Sequence, residues 1–557
     1  MRRPLLPALA IAAASALVLA GCTAGGSSTN SGSGAQSAGA NGDGTPVRGG
    51  TLTYASGDAE PTCLDPHVGG NYPQALVSTQ YLEELVSKDK AGKIIPWLAS
   101  SWKLSSDGLS ETFTLKKGVS FSDGTPFDAA AVVANIEHVQ DPTTLSSTGY
   151  LALGKVTKAV AVDDHTVRLD LSTPDSALLD SLSQPWLAME SPTALKRTQA
   201  VNCESPVGTG PFVVTKWIKE QQIDLSRNPK YSSPPADAAH KGAAYLSKIV
   251  WRFIPDSASR YAALQSGQVD VIDNAQPDTL AAAAKNGQLK ALDAPRPGAS
   301  DRLELNSSKA PFNDEKVRQA FITGIDVNAG IDSLFFGTAK RSYSVLSSVE
   351  KDGFSDPSLF TVNAKKANAL LDQAGYTSRD SAGYRTKNGQ RLTVAFPVST
   401  NQSIPAEQSL FQQVQAGAKS LGIQVNISLL DLASWYGALA ADKYDIVSAP
   451  YTKVGPDVLR ILYDSKGITP APSGYFANLA QVNIPKLDML LTEASQESDA
   501  TTRAAEYKQA QQIILSGYYV LPLYDQQNHF LYRTSVKGLR AMPTVSTPTL
   551  YDTWLSK

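Results

Sequence analysis

The stretch LTVAFPVSTNQSIPAEQSLFQQVQAGAKSLGIQVNISLL, residues 392–430, decides the fold class of this chain. Apolar residues alternate with other residues over 392–396 and again over 423–429, which is the period of a β-strand. Between these runs, apolar residues recur on one face of a helix, and Gly422 follows where a left-handed C-cap is favoured. A strand, a helix and a strand in this order predict a right-handed crossover between parallel strands. The sequence therefore predicts an α/β fold.

Other segments predict antiparallel pairs and further helices. Residues 102–116 form a predicted hairpin, because alternating apolar residues flank the turn sequence Ser-Ser-Asp-Gly at 105–108. A helix is predicted after Asp128, and another over 364–374 after Asn363, since Asp and Asn are favoured N-caps. Helices are thus mixed with both hairpins and parallel units along the chain.

The N-terminus has the features of an export signal. Arg2 and Arg3 precede an apolar run of about 16 residues, shorter than the roughly 20 that a membrane-spanning helix needs. The run ends in Leu-Ala-Gly followed by Cys22, which resembles the lipobox of bacterial lipoproteins. We therefore expect residues 1–21 to be removed and Cys22 to anchor the protein to the cell membrane through a lipid. A soluble secreted protein with a chance cysteine is the alternative.

Composition narrows the possible partners. Residues 22–46 are rich in small polar residues, which predicts a flexible tether. Hydrophobic residues make up 42% of the whole chain, so the part after the tether can form a substantial core. The formal net charge is −2, and no basic block lies outside the signal, so no nucleic-acid partner is predicted. No second apolar run reaches membrane length.

The chain has three cysteines, and Cys22 is assigned to the lipid. Cys63 and Cys203 remain, and in an oxidising compartment two such cysteines are more often paired than free. A bond between them would close a loop of about 140 residues, worth about 4–5 kcal/mol in the chain-entropy model. A free buried pair is the alternative.

No motif for catalysis, a cofactor or a metal is found in the sequence. The five histidines stand far apart along the chain, although His67 and His529 could converge in space. The Gly-Thr-Gly-Pro run at 208–211 is predicted to be a tight turn rather than a phosphate loop, because the proline lacks an N–H. Residues 100–103 match the Ser-x-x-Lys pattern of β-lactamases, but Trp102 and Lys103 lie in a predicted strand, so a secreted serine hydrolase is a remote alternative.

Five segments carry a recognisable order of turn and core residues. They are LASSW at 98–102 with SDG at 106–108 and TF at 112–113; GVSFSDGTPF at 118–127; PVGTGPF at 206–212; ALQSGQVD at 263–270; and LN at 305–306 with PFND at 311–314 and VRQA at 317–320. Together they resemble the family 5 extracellular solute-binding proteins, the oligopeptide, dipeptide and nickel binders of ABC importers.

The resemblance implies a two-lobed periplasmic-binding-protein-like fold (type II, cluster C) with an extra inserted domain. The implied boundaries are lobe I at 47–83, 205–300 and 518–557, the inserted domain at 84–204, and lobe II at 301–517. It also implies no catalysis and no cofactor. A monomer would capture a ligand, most often a peptide in this family, between closing lobes and deliver it to the permease subunits of an ABC importer. A peptide-sensing receptor or chaperone component without transport is the alternative.

The resemblance places ligand contacts in loops at the lobe junction. The implied residues are Asp65, Asn71, Tyr72, Asn306, Tyr451, Thr452 and Asp457. Dipeptide binders of the family carry an acidic residue shortly after a tryptophan, where it pairs with the peptide amine. Here Tyr451 replaces the tryptophan and Val454 falls about where the acid would lie. We therefore favour a longer peptide or other oligomeric ligand, with Asp457 as the alternative amine partner.

Overall fold

Three β-sheets, called sheets A, B and C below, organise the chain in the computed structural model, which describes residues 44–556 except 449, 452 and 454. The predictions for the signal peptide, the lipidated Cys22 and the tether up to residue 43 lie outside the described residues, as do Thr452 and Val454. None of the described helices is long and apolar enough to cross a membrane.

Sheet A has seven strands and is mixed. Its strands, in spatial order, are Leu289–Pro295, Gln527–Arg533, Val271–Ile272, Thr51–Ser56, Lys248–Phe253, Gln222–Arg227 and Phe212–Ile218. The fourth strand is parallel to both neighbours, and the other pairs are antiparallel. Residues from both ends of the chain therefore share one sheet, whose core contains Tyr54 stacked on Trp251.

Sheet B is an antiparallel sheet of four strands. In spatial order they are Ala99–Leu104, Ser110–Leu115, Thr166–Leu171 and Val156–Asp163. The predicted hairpin is confirmed, with Trp102 opposite Phe113. The predicted helix after Asp128 is also confirmed: it spans Ala129–Gln140, and the Asp128 carboxylate accepts a hydrogen bond from the N–H of Ala131. Buried residues between Leu85 and Met189 form a core of their own, and we call this part of the chain the sheet B unit.

Sheet C is an antiparallel sheet of three strands, in the order Ile446–Ser448, Asp301–Leu305 and Val520–Tyr524. Beside it, Thr393–Ser399 and Gln424–Leu430 pair in parallel, joined by the helix Pro405–Leu421. Gly422 ends this helix with a φ of 87°, so the predicted crossover is confirmed. Buried residues between Ala299 and Tyr524 form one large core, and we call this part the sheet C unit.

One detail of residues 392–430 differs from the prediction. Leu429 is 53% exposed although it continues the apolar alternation of Val425 and Ile427. Its strand pairs on one side only, with Thr393–Ser399. The strand lies at a sheet edge and Leu429 stands near its end, so the alternation there does not mark burial.

The remaining elements surround these sheets. The other helices are Tyr72–Ser78, Thr148–Ala152, Leu178–Ser181, Pro192–Leu195, Gln199–Glu204, Ser257–Ser266, Pro277–Ala283, Glu315–Gly324, Asn328–Leu334, Ala364–Gln373, Leu432–Ala440, Val458–Tyr463, Pro485–Gln496 and Ala500–Ser516. Short 3₁₀ turns are Pro142–Thr144, Pro185–Leu187, Pro357–Phe360 and Ser465–Ile468. Short strands are Val86–Lys88, Ile94–Pro96, Ser378–Arg379, Arg385–Lys387, Gln390–Arg391, Val536–Lys537, Arg540–Ala541, Pro548–Thr549 and Trp554–Leu555. The helix predicted after Asn363 is confirmed, with that side chain as its cap.

The predicted disulfide between Cys63 and Cys203 is present. Beside it, the N–H of Leu64 donates to the carbonyl oxygen of Cys203 at 2.8 Å. The bond therefore joins the loop before helix Tyr72–Ser78 to the helix Gln199–Glu204, across 140 positions of sequence.

The Gly-Thr-Gly-Pro run is a close-packed turn, as predicted. A Cβ atom added to Gly208 would lie 1.9 Å from the carbonyl oxygen of Tyr81, so only glycine allows this approach. Thr209 donates a hydrogen bond at 2.7 Å to the buried carboxylate of Glu83.

Two short segments connect sheet A to sheet C. Residues 296–300 lead from the strand Leu289–Pro295 to Asp301–Leu305, and residues 525–526 lead from Val520–Tyr524 back to Gln527–Arg533. The two segments lie side by side, since the N–H of Arg296 donates to the carbonyl oxygen of Gln526 at 2.9 Å. We expect a hinge between the lobe with sheet A and the lobe with sheet C to lie at these two segments. The domain boundaries given above stay a prediction.

Candidate functional site

A cavity of about 730 Å³ lies between sheet A and the sheet C unit. Loops after several strands of sheet A, together with segments of the sheet C unit, form much of its wall. The main wall segments are 57–58, 69–73, 255–257, 274–277, 400–405, 473–476 and 524–529. Ligand sites of α/β proteins commonly lie in such crevices beyond strand ends.

Asn71 and Tyr72, two of the predicted ligand residues, lie on this wall. Asn71 is the N-cap of helix Tyr72–Ser78, and its side chain accepts from the N–H of Gln74. Its carbonyl oxygen accepts a hydrogen bond from Trp186 Nε1 at 3.0 Å. The Tyr72 hydroxyl donates to the carbonyl oxygen of Val545 at 3.2 Å, so the ring stands in a fixed position at the cavity.

Arg296 is a cation of the wall that has no counter-ion among the described residues. Its guanidinium carbon lies 4.2 Å from the centre of the Tyr72 ring, and its Nε atom is buried without a hydrogen-bond partner among the described residues. No acidic side chain in the described part of the chain forms an ion pair with it. A buried donor of this kind gains when a ligand carboxylate pairs with it.

Four acidic residues share the wall with Arg296: Asp256 and Glu407, which accept hydrogen bonds from Ser259 and Tyr524, and also Asp525 and Asp58. Asp525 lies in the second connecting segment, and its Oδ1 atom is buried without a hydrogen-bond partner among the described residues. Asp58 follows the strand Thr51–Ser56, and burial, assisted by the negative charge of Asp273, raises its pKa to about 7. The cavity therefore offers both a cationic and an acidic partner to a ligand.

Tyr451, another predicted ligand residue, also lines the cavity, and its side chain is nearly buried. Its carbonyl oxygen accepts from the N–H of Ala299 at 3.1 Å, which ties this loop to the first connecting segment. Lys453 follows, with its ammonium group 3.1 Å from the centre of the Trp186 ring. Burial, with the charge of Arg296 as a second cause, lowers the pKa of Lys453 well below its usual value.

Three of the predicted ligand residues do not lie on the cavity wall. Asp65 is buried and accepts from Asn202 Nδ2 at 3.1 Å. Asn306 is buried and donates to Asp442 at 2.8 Å. The Asp457 carboxylate is paired with Arg460 at 2.6 Å, so this acid already has its cationic partner.

His67 and His138 are far apart along the chain, but the fold brings their Nδ1 atoms to 3.0 Å from each other. His529 pairs instead with Asp293 at 2.6 Å. The four residues of the Ser-x-x-Lys match lie in the strand Ala99–Leu104, as predicted.

Sequence reasoning missed Arg296, Asp525, Asp58 and Lys453. None belongs to a short motif, and the first two are more than two hundred positions apart. The one available signal was position: Asp58 and Arg296 each come directly after a strand of sheet A, where cavity residues of such folds are found.

The chain was compared with known families and proteins. The model of the bacterial extracellular solute-binding proteins, family 5, matches residues 93–473. This chain belongs to that family. It is therefore an extracytoplasmic solute-binding protein of the ABC-importer type.

The glutathione-binding protein GsiB of Pectobacterium atrosepticum is 31% identical over 371 residues, which cover 66% of this chain and 67% of that protein. GsiB of Escherichia coli O1:K1 is 28% identical over 496 residues, covering 86% of this chain and 90% of the relative.

Solved structures confirm the two-lobed α/β fold. The periplasmic binding protein DppA of Helicobacter pylori, in complex with the peptide STSA, has a TM-score of 0.79 at 24% identity and covers 92% of this chain and 99% of its own. NikA of Brucella suis, in complex with Fe(III)-EDTA, has a TM-score of 0.76 at 25% identity and covers 91% of this chain and 100% of its own.

Proposed function

We propose that this protein captures a short peptide or a peptide-like zwitterion in the cavity and delivers it to the permease of an ABC importer. The observation that carries this proposal is the pair of buried, unpartnered groups, Arg296 Nε and Asp525 Oδ1, on the two segments that connect the lobes. Each such group costs about 1–3 kcal/mol when left unpaired. A ligand that brings an anionic and a cationic group to this place removes both costs.

The cavity volume limits the ligand. About 730 Å³ lies within the 300–1,000 Å³ that is usual for small-molecule sites. This favours a ligand of a few residues, against the sequence-based preference for a longer peptide. Arg296 would bind its carboxylate, while Asp525 or Asp58 would receive its amine. The aromatic rings of Tyr72 and Tyr451 would contact its apolar parts.

Contacts opposite the connecting segments support capture by lobe closure. Lys155 and Ser176 of the sheet B unit both bond Ser495 of the sheet C unit: the Lys155 ammonium at 2.8 Å, and the Ser176 N–H at 3.0 Å. These contacts join the sheet B unit to the sheet C unit, and in the proposed mechanism they form when the lobes close. A ligand that binds the closed state more tightly than the open state would shift the protein toward closure.

The proposal also covers the place of the protein in the cell. A lipid on Cys22, followed by the tether, would keep the binding protein beside its permease at the membrane. Two acyl chains suffice for stable anchoring, at about 0.8 kcal/mol per buried CH₂. The change Cys22→Ser should release the protein from the membrane fraction, and retention at unchanged mass would contradict the assignment.

Calorimetry tests the binding site. Protein freed of bound solute by unfolding and refolding is titrated with glutathione, tripeptides and a nonapeptide, each with a free or a blocked carboxylate. We expect one short ligand class to bind one to one, and Arg296→Gln to weaken it by about 10- to 100-fold, since a charged hydrogen bond is worth about 1.5–3 kcal/mol. Arg168→Gln, at an exposed arginine of sheet B, is the matched control. Equal binding by both variants would contradict the site.

A further inference from the structure

Asp65, His67 and His138 form a cluster outside the cavity. Their ligating atoms all lie within 4.8 Å of one another, and none of the three residues is on the cavity wall. Asp65 and His67 are buried and His138 is half-buried. The sequence separates His138 from the other two by about 70 positions, so only the fold brings them together.

The His67 ring has a fixed tautomer. Its Nε2 atom lies 2.8 Å from the carbonyl oxygen of Ala188, which can only accept, so Nε2 carries the hydrogen. The lone pair is therefore on Nδ1, which lies 3.0 Å from His138 Nδ1 and 3.8 Å from Asp65 Oδ1. A histidine that ligates a metal shows this arrangement, with its second nitrogen donating to a carbonyl or a carboxylate.

The Asp65 carboxylate is also oriented by its surroundings. Oδ1 accepts from the backbone N–H of His67 at 2.8 Å, and Oδ2 accepts from Asn202 Nδ2 at 3.1 Å. Each oxygen keeps a further lone pair. His138 lies in the last turn of helix Ala129–Gln140 and is partly exposed, which leaves a path from solvent to the cluster.

We propose that Asp65, His67 and His138 bind one divalent transition-metal ion of the zinc class. Two imidazole nitrogens and a carboxylate oxygen are a usual ligand set for such ions, with water in the fourth position. At Zn–N bonds of about 2.0–2.1 Å and tetrahedral angles, the two nitrogens would stand about 3.3 Å apart. The observed 3.0 Å therefore needs the two rings to separate by only about 0.3 Å.

Such an ion would connect the sheet B unit to the cavity wall. His138 lies on a helix of the sheet B unit. Asp65 and His67 lie at the start of the loop that continues to Asn71 and Tyr72. Gly69 of this loop already pairs with Ser146, which follows the same helix. The ion would reinforce that contact and order the loop before solute arrives. This inference does not depend on the proposed solute.

Zinc titration of the chelator-treated protein tests the proposal. We expect one Zn²⁺ ion to bind per chain, and His138→Gln to weaken binding by at least about tenfold. The half-buried position of His138 makes this variant suitable, and its melting temperature without metal checks its folding. His165→Gln, in the turn between two strands of sheet B, is the matched control and should bind as the wild type does.

A second readout identifies the ligands. Bound Co²⁺ should give the visible absorption of a site with nitrogen ligands in the wild type and the control, and this absorption should be lost in His138→Gln. Zinc should also raise the melting temperature of the wild type with ion concentration, by mass action. Three results would overturn the proposal: no stoichiometric binding by the wild type, equal binding by His138→Gln, or loss of binding in the control. The two histidines would then form a hydrogen bond only.

Discussion

The contact between Lys155 and Ser495 gives the most quantitative test of lobe closure. The Lys155 ammonium donates at 2.8 Å to both the carbonyl oxygen and the hydroxyl of Ser495, and at 3.0 Å to the carbonyl oxygen of Pro174 in its own unit. The change Lys155→Met keeps the apolar length of the side chain and removes the donor. Of the bonds made by Lys155, only the two to Ser495 join the units, while those to Pro174 and to the buried Asp175 carboxylate, at 3.5 Å, lie within its own unit. The melting temperature of the solute-free variant therefore separates a loss of folding from a loss of closure.

The magnitude follows from the bonds. A hydrogen bond from a charged group is worth about 1.5–3 kcal/mol. The Ser495 carbonyl keeps a partner in the variant, because the Ser176 N–H donates to it at 3.0 Å. We therefore expect the closed state to lose about 2–3 kcal/mol of stability for the two bonds together. This is low for two hydrogen bonds from a charged group, because one of the two acceptors keeps a partner. At 1.4 kcal/mol per factor of ten, solute binding should weaken by about 30- to 150-fold.

Calorimetry with the solute identified for the wild type measures this change, and small-angle scattering measures compaction on binding. Lys158→Met is the matched control, because Lys158 is exposed on the strand of sheet B that begins directly after Lys155. It should leave the affinity unchanged. A loss of less than about threefold in Lys155→Met, or an equal loss in the control, would refute a role of this contact in closure.

Three other predictions follow from buried groups. In the free protein, burial raises the pKa of Asp58 to about 7, so this carboxyl group is neutral at lower pH. If Asp58 is the amine partner, the affinity for a cationic ligand should rise by up to about tenfold per pH unit below pH 7 and level off above it. Calorimetry across pH should find no such dependence in Asp58→Asn. Replacing both Cys63 and Cys203 by alanine should cost up to about 5 kcal/mol of unfolding free energy, measured by urea titration, since the loop is long. Glu83 accepts hydrogen bonds from four buried side chains. The change Glu83→Leu leaves these donors without their acceptor, so it should lower the free energy of unfolding by at least about 3 kcal/mol, and a loss below about 1 kcal/mol would contradict this role.

Local elements were predictable because their signals are local. The caps at Asp128 and Asn363 and the C-cap at Gly422 each depend on a few neighbouring residues, and the structure confirms all three. Leu429 shows the limit, since the apolar alternation does not reveal that its strand lies at an edge.

The cavity was harder to predict than the fold. Arg296 Nε and Asp525 Oδ1, which have no hydrogen-bond partner in the described part of the chain, come to one cavity because two connecting segments, far apart in sequence, run side by side. Asp457 was a predicted ligand residue, yet Arg460, three positions later, neutralises it. That pair was visible as a helical i, i+3 spacing, which favours an ion pair within the chain. The approach of His67 to His138 needed the tertiary fold.

A crystal structure of the complex with the solute found by calorimetry tests the central claim most directly. We predict that the solute fills the cavity between the lobes, with an anionic group on Arg296 and a cationic group on Asp525 or Asp58. A solute bound elsewhere on the protein, or one in the cavity that leaves Arg296 and both acids without a polar partner, would contradict the account.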